Sequence, residues 1–309
     1  MAPLDDLRAR IVALVHPLAP LELPLADARG CVLHEGVQAP APVPAFDTVS
    51  IEGFAVRADS YDPTLLLRVI DEVPAGFRAS EQLADGTCIR VSPGAPLPSG
   101  SHAVVPLAIA SSDPAGIRLP QVVPGQGFVE TGAEVVVGAV IAQAGDQLTP
   151  RLIGALARSA IRSVHVRPRP RVLAVTVGTE FVEPGVPTPM GLVADYLSFP
   201  AAAIAEEAGA IVFRVPPILD DEAELVAIVD DSLHRTDLIV LCGVGAAGRA
   251  LACASLGLEV LFEAGESGCA VGDREGTVII TIGPDLADII GIGEALLPAI
   301  VRGQMGLAG

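Results

Sequence analysis

The sequence predicts a multidomain α/β protein, and three observations predict it. From residue 172 onward, apolar runs of strand length alternate with amphipathic runs of helix length, the order of a parallel sheet covered on both faces. Between residues 65 and 137 the pattern shortens to β-type runs parted by Pro and Gly, which reads as a small all-β module. Between these regions lie a helix start at Thr149-Pro150, where a capping hydroxyl precedes a proline in the first helical position, and the stiff basic connector Arg167-Pro168-Arg169-Pro170-Arg171. That connector is the main predicted domain boundary.

Taken in order, Leu4, Leu7, Ile11 and Leu14 fall on one helical face, with Asp5 and Asp6 in the first turn, where the helix dipole favours acids. Pro17 and Pro20 stop this docking helix, and an extended segment follows that breaks at Gly30. Pro40, Pro42 and Pro44 then stiffen the entry to the acidic, glycine-bearing segment that runs to Arg57. The β module is expected from the runs Leu65–Ile70, Thr87–Val91, Ala103–Leu107 and Gly116–Val123. After Thr149, the residues Leu152, Ile153, Leu156 and Ile161 supply an apolar helical face. Beyond the connector, Val172–Val177, Ile211–Val215, Leu238–Cys242 and Val278–Ile282 read as buried strands. Helical patterns cover Asp195–Ala208, Asp221–Leu233, Ala246–Leu256 and Leu286–Arg302. Asp220 and Asp285 stand where helix N-caps belong. The pairs Asp220–Asp221, Asp230–Asp231 and Glu206–Glu207 read as caps and solvated helix faces, not catalytic dyads.

One stretch organises the rest: Asp237–Ala250, an apolar strand ending in a glycine-rich turn that re-enters a helix. In open α/β sheets ligands sit beyond the strand ends, so Gly243, Gly245 and Gly248 mark where a backbone can closely approach an anion. Plain turn residues are the competing reading of the same glycines.

Composition narrows the function. The formal charge of −18 over 309 residues argues against nucleic acid and against an anionic membrane face, since phosphate neutralisation needs clustered cations. The five scattered cysteines (Cys31, Cys88, Cys242, Cys253 and Cys269) form no CxxC pair and read as reduced core thiols of a cytoplasmic protein, with no zinc or other metal site. No uncharged apolar run reaches the roughly 20 residues of a membrane span. His16, His34, His102, His165 and His234 show no ligand or triad spacing.

The motifs, in their order, resemble the molybdopterin molybdenumtransferase family, that is, MoeA and the E domain of gephyrin. Phe46-Asp47 with Gly53-Phe54-Ala55-Val56 is similar to F-D-N-S-A-M-D-G-Y-A-V, and Arg90–Pro98 is similar to R-I-M-T-G-A-P-V-P. Gly138–Leu148 precedes the Thr149 helix as in the family. Residues 169–185 with Asp195 are similar to S-T-G-D-E-L-x-x-P-G and D-x-N, and Asp237–Gly248 lies over S-G-G-V-S-x-G. The resemblance implies a dimerisation platform of residues 1–46 and 138–168, an inserted β module of 47–137, and a parallel α/β sandwich of the MogA-like, molybdopterin-binding kind over 169–309. The family's further C-terminal β domain is expected to be absent.

The resemblance also implies the family reaction, in which molybdate enters adenylated molybdopterin and AMP leaves. That chemistry needs carboxylates for a divalent cation such as magnesium, and cations for an anionic pterin. Here the family's acids survive only as Glu52, Glu134 and Glu180, the remaining catalytic candidates, while Pro93 replaces a motif hydroxyl and Leu251 an acid. The two family lysines fall on Ala264 and Ser267, with Glu266 between them, so phosphate is repelled where lysine attracts it. Cofactor-binding positions carried over are Thr179, Asp195, Gly243, Gly245, Gly248, Ser267, Gly283 and Asp285, the last serving alternatively as a helix cap. Three readings follow. The first is a cytoplasmic cofactor-pathway protein that binds molybdopterin but has a reduced catalytic centre. The second is a homodimeric scaffold that partners an active paralogue or a molybdoenzyme client. The third is an active transferase built on the three glutamates. A binder is expected to show a partly basic pocket, with Arg167, Arg169, Arg171 and Arg249 as its cations; a scaffold, an exposed apolar patch; an active enzyme, glutamates within shared-cation reach.

Overall fold

A computed structural model of the chain describes residues 4–59, 61–264 and 266–307. The chain divides into two compact units, one of Met1–Glu35, Gln143–Ile153 and Ser163–Gly309, the other of Gly36–Ala142 and Gly154–Arg162.

The first unit opens with helix α1 (Leu4–Leu14). Its Ile11 is fully buried and, with Val15, joins the same core as Ile300, Val301 and Met305. The side chains of Leu4, Asp5, Asp6, Leu7 and Leu14, which complete the expected face and first turn, lie outside the described residues. Strands β1 (Leu21–Pro24) and β2 (Val32–Leu33) follow.

The second unit holds β3 (Gly53–Val56), β4 (Arg68–Val73), β5 (Thr87–Val91) and β6 (Ala103–Pro106) in the order β4-β5-β3-β6. Only β4 and β5 are parallel. Alternation along β3 sends Ala55 to a cluster with Ile89, Val91 and Val104, and Phe54 and Val56 to another with Cys88 and Val105. This two-sided core is why the segment reads as short apolar runs. Gly53 is required by close packing, because a Cβ there would lie 2.0 Å from the Val105 carbonyl oxygen. The first expected run is displaced toward its carboxyl end, from Leu65–Ile70 to Arg68–Val73, and Gly116–Val123 contributes only the strand Gly116–Arg118.

Helix α2 (Pro150–Arg158) starts where the Thr149-Pro150 pair predicts, with the Leu152 N–H donating to the Thr149 hydroxyl at 3.3 Å. It ends before Ile161, so that residue does not share its face. Strand β7 (Ser163–Arg167) then lies between β1 and β2, antiparallel to both.

The central sheet of the first unit is built from β8 (Arg171–Thr176), β9 (Ile211–Arg214), β10 (Leu238–Cys242), β11 (Glu259–Ala264), β12 (Ser267–Arg274) and β13 (Thr277–Ile282), in the order β9-β8-β10-β13-β12-β11. Helices α3 (Ser198–Glu207), α4 (Glu222–Ser232), α5 (Ala246–Leu256) and α6 (Leu286–Gln304) alternate with its parallel strands. Leu238, Val240 and Ile280 pack with Ala201, Ala205, Leu296 and Ile300 of α3 and α6. Leu173, Ile239, Leu241 and Ile279 pack with Leu225, Val229 and Ala252 of α4 and α5. Burial on both faces is the reason these strands read as unbroken apolar runs.

The sheet departs from the all-parallel expectation at one edge, where β12 and β11 run antiparallel. Arg274 pairs with Thr277, so only Glu275 and Gly276 join β12 to β13, both with positive φ (55° and 85°). Two residues can close an antiparallel hairpin but cannot carry a crossover to a parallel strand. The Gly276 N–H also donates to the Asp273 carboxylate at 3.1 Å.

Truncation of Ile280, fully buried in β13, is expected to cost about 2–5 kcal/mol as Ile280→Ala. Ile211→Ala, at a side chain 42% exposed on edge strand β9, should cost less than about 1 kcal/mol. Denaturant titration of both variants checks the contrast.

Candidate functional site

Strands β8, β10 and β13 end level: Thr176 pairs with Cys242, and Cys242 with Ile282. Beyond these ends the chain is tied together by backbone hydrogen bonds from Val177 N–H to the Cys242 carbonyl (2.8 Å), from Val244 N–H to the Ile282 carbonyl (3.0 Å) and from Gly283 N–H to the Gly268 carbonyl (3.0 Å). Gly243 turns with φ +86°, and a Cβ on it would lie 2.8 Å from the Val177 carbonyl oxygen. No L side chain fits that backbone and that gap. Gly245 is the N-cap of α5. A Cβ on Gly245 would lie 2.4 Å from a Glu266 carboxylate oxygen, and one on Gly248 would lie 2.9 Å from Asp220 Oδ1. Each of the three glycines therefore admits a different close neighbour.

Two of those neighbours are acids. The Glu266 carboxylate accepts a hydrogen bond from the Ala246 N–H, the first residue of α5, at 2.9 Å. Asp220 lies against the same first turn at Gly248. Free N–H groups and the helix dipole make such a terminus a seat for an anion. Here the seat holds the chain's own carboxylates. Asp220 was expected to cap α4, but the structure gives that role to Asp221, whose Oδ1 accepts from the Glu224 N–H at 3.0 Å. Of two adjacent acids, one caps its own helix and the other is left to complement the neighbouring one. Asp285 holds the N-cap position of α6 by backbone conformation, without a side-chain hydrogen bond. Ser267 and Asp288 flank Gly283: a Cβ there would lie 3.2 Å from the Ser267 Cα and 2.1 Å from Asp288 Oδ2.

The cations expected to line a basic pocket are engaged elsewhere. Arg249 is 1% exposed. It donates to the carbonyls of Glu266 (3.2 Å) and Val244 (3.4 Å) and pairs with Glu263 at 3.1 Å. It thereby clamps the segment that carries Glu266. Arg167 bonds the Leu18 carbonyl, Arg169 the carbonyls of Gly209 and Ala210, and Arg171 the Asp237 carboxylate. Arg171 begins β8, so these connector arginines stand at the amino ends of the strands, opposite the glycine turns. Among the described residues, none of these four arginines opens onto the strand ends as the basic lining expected there.

Asp195 is the most heavily bonded acid of the site. Its side chain has no exposed surface. Its carboxylate accepts from the Thr176 hydroxyl (2.7 Å), the N–H groups of Leu197 (2.9 Å) and Ser198 (3.1 Å), the Ser198 hydroxyl and Arg214 (3.1 Å). Arg214 donates in addition to the Ser198 hydroxyl at 2.8 Å, reaches Glu183 at 3.4 Å, and stacks 3.4 Å from the centre of the Phe199 ring. Burial alone pushes the Asp195 carboxyl up, but the hydrogen bonds from Ser198, Thr176 and the two backbone N–H groups outweigh it and hold the group below the usual carboxylate value. With five donors on its two oxygens, this acid ties β8, α3 and β9 together and has no free acceptor for a ligand.

The three candidate glutamates are divided between the two units, and each has its own local setting. Glu180, in the first unit, is exposed, and its carboxylate lies 2.7 Å from where a Cβ on Gly178 would stand. Glu52, in the second unit, pairs with Arg90 at 2.9 Å. Glu134, also in the second unit, takes Arg158 bidentately at 2.8 and 2.5 Å, and that bond holds its carboxyl below the ordinary value. Among the described residues no group of three His, Cys, Asp or Glu side chains is placed to hold a metal ion. Thr179 is exposed and Ser267 half-buried. The partners Arg90, Arg158 and Arg214 were not anticipated, because nothing local in the sequence links them to these acids; Ser198 was missed although it lies only three residues from Asp195.

Residues 2–160 match the MoeA N-terminal region, its domains I and II. The chain belongs to the MoeA family. It is 33% identical over 247 residues to molybdopterin molybdenumtransferase 2 of Mycobacterium tuberculosis strain H37Rv, which covers 77% of this chain and 61% of that relative. It is 32% identical over 287 residues to molybdopterin molybdenumtransferase 1 of the same strain, covering 86% and 66% respectively. The chain thus spans less than two thirds of the length of these relatives. The fold is that of the molybdopterin biosynthesis MoeA protein from Pyrococcus horikoshii, with TM-scores of 0.76 and 0.72 in two crystal structures at 23% and 21% identity, covering all of this chain and 81% and 80% of those.

Within this MoeA family member the Asp195 network is a stability element with a defined pH response. A carboxyl whose folded pKa is depressed contributes stability above its unfolded value of about 3.9, and that contribution is lost as pH falls through the folded pKa. Asp195→Asn should therefore cost about 2–4 kcal/mol at pH 7. The gap from the parent should narrow below about pH 4, measured by urea titration across pH.

Proposed function

We propose that this chain works in molybdenum cofactor biosynthesis as a MoeA-family member that binds molybdopterin or its adenylated form, with molybdate insertion weakened or lost. The Glu266 carboxylate on the Ala246 N–H carries this reading. The glycine turns and level strand ends support a pterin at this end of the sheet, but a pterin phosphate brought to the α5 terminus would meet Glu266 and Asp220. The residues at that terminus do not fit a phosphate, so its share of the binding is given up and the pterin would be held by the remaining strand-end surface. Of the carboxylates that magnesium would need, Glu52 and Glu134 are already paired with Arg90 and Arg158.

A second reading, a homodimeric scaffold for an active paralogue or a molybdoenzyme, is favoured by the apolar side chains that the second unit exposes. Val136, Val137 and Val140 are 63%, 62% and 60% exposed within a few residues of one another. Unpaired apolar clusters of this kind mark protein contacts.

The test is AMP release from adenylated molybdopterin with molybdate and magnesium, with pterin binding followed in the same samples. Binding without AMP release is the expected outcome. Turnover overturns the weakened-site reading, and absence of both transfers the case to the scaffold, whose dimer is then sought by light scattering. Glu266→Gln removes the carboxylate charge from the α5 terminus and should tighten binding of the phosphate-bearing pterin about tenfold, the effect of roughly 1.4 kcal/mol. An unchanged affinity would show that the phosphate does not go there.

A further inference from the structure

At the amino ends of β8 and β9, on the side of the sheet opposite the glycine turns, the first unit has a cleft of about 570 Å³. Its lining includes the aliphatic side chains of Leu21 and Leu23 from β1 and Ile211 from β9. Leu21 and Ile211 stand 41% and 42% exposed. The lining also carries Arg29, Arg169 and Arg171, together with two acids, Asp27 and Asp237. In a chain of formal charge −18, a cleft with three guanidiniums against two carboxylates is locally inverted in sign.

These arginines are not equivalent. Asp237 takes Arg171 through its backbone N–H (2.7 Å) and both Nε and Nη2 (3.1 Å each), so this pair is internally neutral. Arg169 is fixed by donating Nε to the Gly209 carbonyl (2.7 Å) and Nη2 to the Ala210 carbonyl (2.6 Å). Its side chain passes over Gly30, whose φ is +79° and where a Cβ would lie 3.1 Å from Arg169 Cδ. Any other residue at Gly30 would crowd this arginine. Arg29 makes no ion pair or side-chain hydrogen bond among the described residues. One guanidinium is thus preset and one is free, in a cleft that aliphatic side chains also line.

We propose that this cleft binds a small amphiphilic monocarboxylate, an aliphatic or aryl acid whose carboxylate is taken by Arg29 and the open edge of Arg169 and whose apolar body lies on Leu21, Leu23 and Ile211. Guanidinium forks match carboxylate geometry, and few convergent polar groups on an apolar wall are the usual make-up of a small-molecule site. A single negative charge is favoured over a dianion because Asp27 and Asp237 share the cleft and repel a second charge. This site is separate from the strand-end site and does not rest on the proposed function.

The test is isothermal titration of the whole chain with octanoate, with octylamine and inorganic phosphate as controls. Saturable binding of octanoate alone is expected, weakened at least tenfold by Arg29→Gln and by Ile211→Ser; both positions are exposed, so both variants should keep the parent melting temperature. No saturable octanoate binding, or binding indifferent to both substitutions, overturns the proposal. Saturable binding of octylamine or phosphate at comparable affinity overturns its chemistry. If light scattering shows a dimer that Ile211→Asp dissociates while octanoate does not bind, the cleft is an interface between copies and the proposal falls.

Discussion

The level ending of β8, β10 and β13 is the constraint on which the candidate site depends. Because Thr176, Cys242 and Ile282 stand side by side in register, the three turns that follow are pressed together closely enough to bond through their backbones. At Gly243 such contact leaves no room for a side chain, since a Cβ there would lie 2.8 Å from the Val177 carbonyl oxygen. The same register buries the strand-end side chains. Burial, with the nearby Asp195 carboxylate, pushes the Cys242 thiol far up, making it an inert core group and not a nucleophile. The geometry is that of the carboxyl ends of a parallel α/β sheet, and its chemistry is decided by whichever charges the loops bring to it.

Those charges are unusual in kind. All 19 basic residues of the chain are arginines, and many act as internal fasteners. Arg249 holds the segment that carries Glu266, Arg214 stitches Asp195 to α3 and β9, and Arg169 closes the end of α3 onto the connector. Guanidinium suits this work because its planar fork bonds several carbonyls or a carboxylate at once and tolerates partial burial. The consequence is a strand-end site with anionic groups at a helix terminus that would otherwise accept an anion. Asp220 and Glu266 there gain from the α5 dipole, so the arrangement stabilises the fold as it removes a phosphate seat.

Glu52 and Glu134 make the same point on the second unit. Read alone they are the surviving acids of a metal-handling motif. In place they are half of two ion pairs, with Arg90 and Arg158. Both pairs are substantially exposed, so each adds little stability, yet each arginine neutralises the carboxylate that a cation would need.

Much of the fold was legible in the sequence. Leu238–Cys242 and Ala246–Leu256 form as strand and helix to the residue, because an unbroken apolar run and a capped amphipathic period are local signals that burial on two faces reinforces. The motif order was equally local and identified the family. The antiparallel edge was not read, since β11 carries Glu259 and Glu263 and its pattern does not stand out as a strand. Which charge meets which lay beyond the sequence altogether. Glu266 reaches Ala246 across 20 residues, Asp220 lies on Gly248, and Arg158 reaches Glu134 across 24. Periodicity and capping act over a few residues and so can be read along the chain. Electrostatic partnership acts through space, and only the packed tertiary structure decides it.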